Sequence, residues 1–341
     1  MNHRSIHFAA MVLIGLSLIS CSPRNPHIVG GNIYLNQGEY DEALRQFQIA
    51  VAEEPNNPDA YMALGKIYVY KHQYEMACQQ FDKAIEIAPE KLQQMKGQSS
   101  YFETVYYNAG IGLIKQERWE EALNRFKIAA RMNPDSAPAY NNIGYIYGKL
   151  NQEEAMLEAY QKARQIDPKN PKPQFNLALY LMTQKQQYDR AAQLLEEVRT
   201  LAPQSKDIHR LLGICYSNQK KYIKAEQAFQ KAAELDSTNK DVFFNLGIVL
   251  IEQGEYQRAL APLKRAAQLD PEDTEALFNI GIVYIMLKDY QKAIDAFTKV
   301  IRLQPNNADA YSQRGEAERE LGLKQQAYED FKKAMELKGR K

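Results

Sequence analysis

Thr274 to Asn307, TEALFNIGIVYIMLKDYQKAIDAFTKVIRLQPNN, recurs with variation along almost the whole chain after residue 23, at a spacing of about 34 residues. With Thr274 as position 1, Leu277, Ile280, Gly281 and Tyr284 stand at positions 4, 7, 8 and 11. Ala293, Phe297, Val300 and Pro305 follow at 20, 24, 27 and 32. Steps of three and four place each set on one face of a helix, so the unit reads as two amphipathic helices. Pro305 has no N–H and restricts the residue before it, which stops the second helix.

Nine copies can be aligned, beginning at Arg24, Pro58, Glu103, Ala137, Pro171, Lys206, Lys240, Thr274 and Ala308. Position 8 is Gly in eight of them, with Ala178 as the exception, and position 20 is Ala in eight, with Met156 as the exception. The pattern resembles a tetratricopeptide repeat. That resemblance implies an all-α fold, a right-handed superhelical solenoid of about nine helix-turn-helix repeats and some eighteen helices. Each repeat would be closed where the Gly of its first helix meets the Ala of its second. Repeats one and two occupy 28–91 and repeats three to nine occupy 103–341. Residues 92–102 are an insertion that would lengthen a helix, bend the array or contact a partner; a tolerated surface insertion with no role is the alternative. The fifth repeat is one residue longer in its turn, and the first has weak early positions, with His27 and Gly30 where large apolar residues are usual. In the ninth, Arg314 and Glu318 replace the apolar residues of positions 7 and 11, as expected of a terminal repeat whose outer face meets water.

The beginning of the chain is different in kind. Arg4 precedes a mostly apolar run from Phe8 to Ser20 that ends in Leu18-Ile19-Ser20-Cys21. A membrane span needs about 20 apolar residues, and this run is shorter. It resembles a bacterial lipoprotein signal peptide, 1–20, with a lipobox. The resemblance implies cleavage before Cys21 and acylation (palmitate) of that cysteine; an uncleaved or ordinarily cleaved export signal is the alternative. With Ser22, not Asp, after the cysteine, the resemblance to enteric-type lipoproteins implies the outer membrane, periplasmic face, of a bacterial envelope rather than the inner one. Residues 21–27, with two prolines, read as a tether. Cys78 and Cys215 lie in distant repeats and are expected as buried free thiols.

Among 341 residues the apolar share is 45% and the formal net charge is +1, which gives no reason to expect nucleic acid. His3, His7, His27, His72 and His209 are scattered without metal-ligand spacing or a paired nucleophile, and no phosphate-binding glycine loop or dinucleotide fingerprint occurs. No cofactor or metal is expected, and a non-enzymatic role is favoured over an enzyme subunit or a self-stacking structural protein.

Function is expected on positions 2, 5, 9, 12 and 13 of the first helices, which line the concave face in the family. At 5, 9 and 12 of repeats three to eight, fourteen of eighteen residues are aromatic or large and apolar. The candidate groove residues are Tyr107, Ile111, Tyr145, Phe175, Leu179, Arg210, Ile214, Phe244, Ile248, Phe278 and Ile282. To these are added the position-6 asparagines Asn108, Asn142, Asn176, Asn245 and Asn279, which can bond a peptide backbone or a partner within the stack. A groove of this kind suits an extended peptide or an amphipathic helix from a partner protein. Mutual burial of the same side chains is the alternative. Lys115, Lys149 and Lys172 precede Asp207, Asp241, Glu252, Glu275, Asp309 and Glu320 along the face, a gradient that would orient a dipolar ligand or merely suit helix N-termini. The carboxylate clamp of chaperone-binding members is disfavoured: no repeat has Lys at 5 or Arg at 6, and Asn at 9 occurs only as Asn32. The anchor and repeats together resemble the repeat lipoproteins that assist type IV pilus secretins, or those that gather cell-wall hydrolases. Nothing in the chain specifies an oligomeric state.

Overall fold

The structure is a computed structural model that describes residues 25–339, with nineteen helices and no strand among the described residues. Residues 1–20, expected as a signal peptide, and residues 21–24 of the expected tether, with Cys21, lie outside them. The chain divides into two compact units, one ending at Pro134 and the other beginning at Asp135. The first contains α1 (Pro26–Gln37), α2 (Tyr40–Glu53), α3 (Pro58–Tyr70), α4 (Tyr74–Ile87), α5 (Lys91–Lys96), α6 (Ser99–Lys115) and α7 (Trp119–Met132). The second contains α8 (Ala137–Lys149), α9 (Glu153–Ile166), α10 (Lys172–Thr183), α11 (Tyr188–Leu201), α12 (Lys206–Asn218), α13 (Tyr222–Leu235), α14 (Lys240–Glu252), α15 (Tyr256–Leu269), α16 (Thr274–Met286), α17 (Tyr290–Leu303), α18 (Ala308–Glu320) and α19 (Lys324–Lys338).

Local chemistry sets these boundaries. Asn57, Ser136, Asn239, Asp273 and Asn307 each accept a backbone N–H from the first turn of the helix they precede. Every repeat reverses between its helices on a left-handed residue. Gly38, Gly254 and Gly322 adopt φ of 80°, 77° and 79° at no steric cost, whereas His72, Glu117, Asn151, Gln186, Lys220 and Lys288 do so at 53° to 59°. Asn25, Pro26 and His27, expected as the end of the tether, are the cap and first turn of α1. Asn25 accepts from the amides of His27 and Ile28, and Pro26 occupies a helical position where no N–H is needed.

Within each repeat the first helix packs on the second, and the second packs on the first helix of the next repeat inside its unit. The glycine of position 8 is required chiefly by the side chain of position 24, a ring except for Leu263 of the seventh repeat; only in the ninth does the Ala327 carbonyl of position 20 come nearly as close, 3.2 Å from a methyl group at Gly315. A methyl group at Gly65 would stand 2.4 Å from Cε1 of Phe81, and one at Gly281 2.6 Å from Cζ of Phe297. The fifth repeat trades both partners at once, Ala178 for glycine and Leu195 for the aromatic ring, and both are fully buried. Cys78 and Cys215 are buried and free. Burial pushes the Cys215 thiol up to about 12, so it is inert at neutral pH.

The nineteenth helix comes from the inserted residues: 92–96 lie in α5, and 99–102 lengthen α6 by about one turn ahead of Glu103. Met95 is fully buried and pins α5 to the core of its unit. Arg125 of α7 reaches back to α4, bonding Glu75 at 3.1 and 3.0 Å and pairing with Asp82, which also accepts the Tyr106 hydroxyl at 2.7 Å. In the last repeat, Arg314 and Glu318 do not face water as expected. Positions 7 and 11 point inward whatever residue fills them, and Asp330 of α19 meets Arg314 there through two bonds of 2.7 and 2.9 Å. Glu318 is only 7% exposed.

Candidate functional site

In the second unit the first helices of neighbouring repeats touch one another, α8 with α10, α12 with α14, α14 with α16 and α16 with α18. They therefore form the inner wall of that unit. Positions 5, 6 and 9 lie along it: Asn142 and Tyr145 on α8, Phe175, Asn176 and Leu179 on α10, Arg210 and Ile214 on α12. Phe244, Asn245 and Ile248 follow on α14, and Phe278, Asn279 and Ile282 on α16. Tyr107, Asn108 and Ile111 occupy α6 of the first unit.

All sixteen of these residues are half-buried. Phe244, Phe278 and Ile282 pack on the core of repeats six to nine, Phe175 and Leu179 on that of repeats four to six, and Ile214 on both. The position-5 ring leans edge-on against the position-24 ring of its own repeat, at 5.3 Å for Tyr107 with Phe126 and for Phe278 with Phe297. The apolar series is thus shared between core and surface. Asn245 and Asn279 donate to the carbonyls four residues back, at 2.7 Å to Asp241 and 2.9 Å to Glu275, which leaves their amide oxygens as acceptors on the wall.

The inner wall opens in one place that gathers several candidates, a cavity of about 400 Å³ between α8, α9 and α10. Tyr145, Asn176 and Leu179 line it together with Gly148, Lys149, Met156, Tyr160 and Thr183. Its floor exists because Gly148 has no side chain: a methyl group there would stand 3.2 Å from the sulfur of Met156. The Lys149 ammonium lies 5.5 Å from the Tyr145 ring centroid, and Asn176 donates to Asn141 at 3.2 Å. Burial, then the neighbouring Tyr145, raises the Tyr160 phenol well above its usual range, so it stays protonated as a hydrogen-bonding group. The cavity offers an apolar side, an ammonium and amide groups, a combination that takes a peptide segment with an apolar side chain near an acceptor or carboxylate. Phe175, Arg210, Ile214, Phe244, Ile248, Phe278 and Ile282 lie outside it, as do Asn142, Asn245 and Asn279. Tyr160 and Thr183 were not among the sequence candidates. Gly148 at position 12 and Met156 at position 20, two departures in one repeat, are the signal that marks the opening.

Arg210 pairs with Asp207 at 3.7 Å, Asp309 with Lys338 at 2.9 Å, and Glu252 accepts the Tyr222 hydroxyl at 3.1 Å. Part of the acidic side of the wall is therefore engaged with its own neighbours. His209 is buried, its Nε2 bonded to the carbonyl of Pro203 at 2.9 Å. Among the described residues no group of three or more His, Cys, Asp or Glu could hold a metal ion, and no helix is long and apolar enough to cross a membrane.

Comparison with known proteins agrees with this architecture. Four tetratricopeptide-repeat family models match, one at 107–171, 244–308 and 289–338, the others at 31–71, 58–91 and 182–243. Anaphase-promoting complex subunit 3 of Schizosaccharomyces pombe is 24% identical over 189 residues, 55% of this chain and 27% of that protein. The chain spans about a third or less of the length of the curated relatives it matches. Among solved structures, that of pilF from Pseudomonas aeruginosa superposes with a TM-score of 0.52 at 23% identity, over 65% of this chain and 99% of the other. YrrB, described as a TPR protein with an unusual peptide-binding site, gives 0.50 at 24% identity, over 54% and 95%. The repeats, their glycine-to-ring contacts and these matches agree, and the chain belongs to the tetratricopeptide-repeat proteins.

Proposed function

We propose that the protein is a non-enzymatic scaffold that holds a segment of a partner protein against the inner wall of its second unit, in the cavity between α8 and α10. The observation that carries this reading is the opening itself, where Tyr145, Leu179, Lys149 and Asn176 converge around the space left by Gly148. An apolar side chain enters beside Leu179, and Lys149 neutralises a carboxylate or binds a carbonyl. Asn176 engages the peptide backbone. The remaining half-buried aromatic residues stiffen the wall more than they bind.

The sequence adds the setting. Cleavage before Cys21 and acylation of that residue would hold the scaffold at a bilayer of the bacterial envelope, where it would gather components of a pilus, secretion or cell-wall complex. Acyl labelling tests the anchor: Cys21→Ser abolishes incorporation of labelled palmitate if the reading is right, and unchanged incorporation refutes it. Affinity capture from an envelope extract tests the cavity, with the full chain beside a Gly148→Leu/Lys149→Glu variant that fills the floor and reverses the rim charge. A protein retained by the first and lost by the second, with helicity unchanged, supports the proposal. Equal retention by both refutes it.

A further inference from the structure

We propose a second docking site in the first unit, created by the insertion and fitted to an acidic peptide segment that carries one large apolar side chain. Helix α5 does more than fill space between repeats two and three. Held down by the fully buried Met95, it closes one side of a cavity of about 460 Å³ whose other walls are α4 and α7. Ile85, Leu92, Ile128 and Met132 supply an apolar interior, and Lys96 and Arg131 stand at its edge. That volume lies within the range of about 300–1,000 Å³ common for small binding sites. It suits one or two side chains of a docked segment.

The charge at the edge selects the occupant. Two carboxylates also border the cavity, but both are already engaged: Asp82 with Arg125 and Tyr106, and Glu86 with Lys83 at 3.0 Å. Lys96 and Arg131 are exposed, and among the described residues neither pairs with a carboxylate. An apolar hollow with two uncommitted cations at its edge is complementary to a Leu or Phe flanked by Asp or Glu. Without the inserted residues α5 would not exist, and neither Leu92 nor Lys96 would reach the site. The insertion thus acquires a role separate from that of the inner wall.

The test uses the full chain and a pool of capped, fluorescent hexapeptides with a central Leu or Phe between aspartates and glutamates. Pools with Lys for the acids or Ser for the apolar residue are the controls. The acidic apolar pool is expected to bind, the controls at least tenfold more weakly. Binding should fall as salt rises from about 0.1 to about 1 M, which shortens the Debye length from about 10 to about 3 Å. Lys96→Glu/Arg131→Glu, both exposed and expected to leave helicity intact, should weaken binding at least tenfold in a Lys149→Glu background, where the inner-wall cavity no longer attracts an acidic segment. The proposal is overturned if no acidic apolar peptide binds, or if the double reversal in that background binds as well as Lys149→Glu alone. It is also overturned if Lys149→Glu abolishes binding, or if phosphatidylglycerol vesicles bind through Lys96 and Arg131 while the peptides do not.

Discussion

Arg125, beside the insertion of the first unit, and Arg314, in the last repeat of the second, both carry a guanidinium into the interior. Their surroundings differ. Arg125 is 10% exposed at its side chain and meets two carboxylates, Glu75 and Asp82, that keep 25% and 37% of their own exposure. Arg314 meets Asp330 and lies 3.9 Å from Glu318, carboxylates with only 8% and 9% exposure, and one oxygen of Glu318 is buried without a hydrogen-bond partner. In the first unit the ion pairs bridge two repeats across the place where the register breaks. In the last repeat they fill core positions that elsewhere are apolar, and they fill them incompletely. A break in a repeat array can admit charge to the interior only where a partner is supplied, and the completeness of that partnership sets its contribution.

The largest effect should come from Arg314→Ala, which leaves two carboxylates more than nine-tenths buried without their cation. A loss on the order of 3–5 kcal/mol is expected for breaking such a pair. Repeats in a solenoid are stabilised chiefly by their neighbours, so the loss should appear as early melting of α18 and α19 in hydrogen exchange, ahead of the rest of the unit. Uniform destabilisation would count against it. Arg125→Ala should cost somewhat less, about 3 kcal/mol in denaturant unfolding, because Glu75 and Asp82 can turn toward water. A loss below about 1 kcal/mol would mean that the bridge is dispensable.

The smallest effect has the opposite sign. Burial first, and then Asp330, holds the Glu318 carboxyl above its ordinary value of 4.5. Between 4.5 and that raised value the folded chain keeps a proton that the unfolded chain releases. The stability this group contributes is therefore fully present below 4.5 and is lost as pH rises through the folded value. Glu318→Gln removes the charge and keeps the shape. The variant should match the native chain at acid pH and exceed it modestly at neutral pH, as read from thermal midpoints across that range. A variant less stable at neutral pH would show that the Arg314 contact outweighs the cost of burial.

These clusters also mark how far the sequence carries. The regular marks at positions 4, 7, 8, 11, 20, 24 and 27 are local, so they were legible, and the helices follow them. Residue type favours the left-handed turn only at Gly38, Gly254, Gly322 and Asn151. At Lys288 or Glu117 the residue gives no hint of its φ, because the tight approach of two helices imposes it. Arg314 looked like a solvent-facing residue because its partner Asp330 lies sixteen positions away, on the other helix. The inner-wall positions were legible as a set, but not which of them face open space. That depends on Gly148 and Met156 acting together across two helices, a relation that position-by-position reading does not contain.

The most direct test of the account is hydrogen exchange on the full chain, with and without the captured partner segment bound. Slowed exchange in α8 and α10, centred on Tyr145 to Lys149 and Asn176 to Thr183, with α14 and α16 little changed, is the expected result. Protection confined to the second helices of the repeats, or spread evenly along the inner wall, would contradict it.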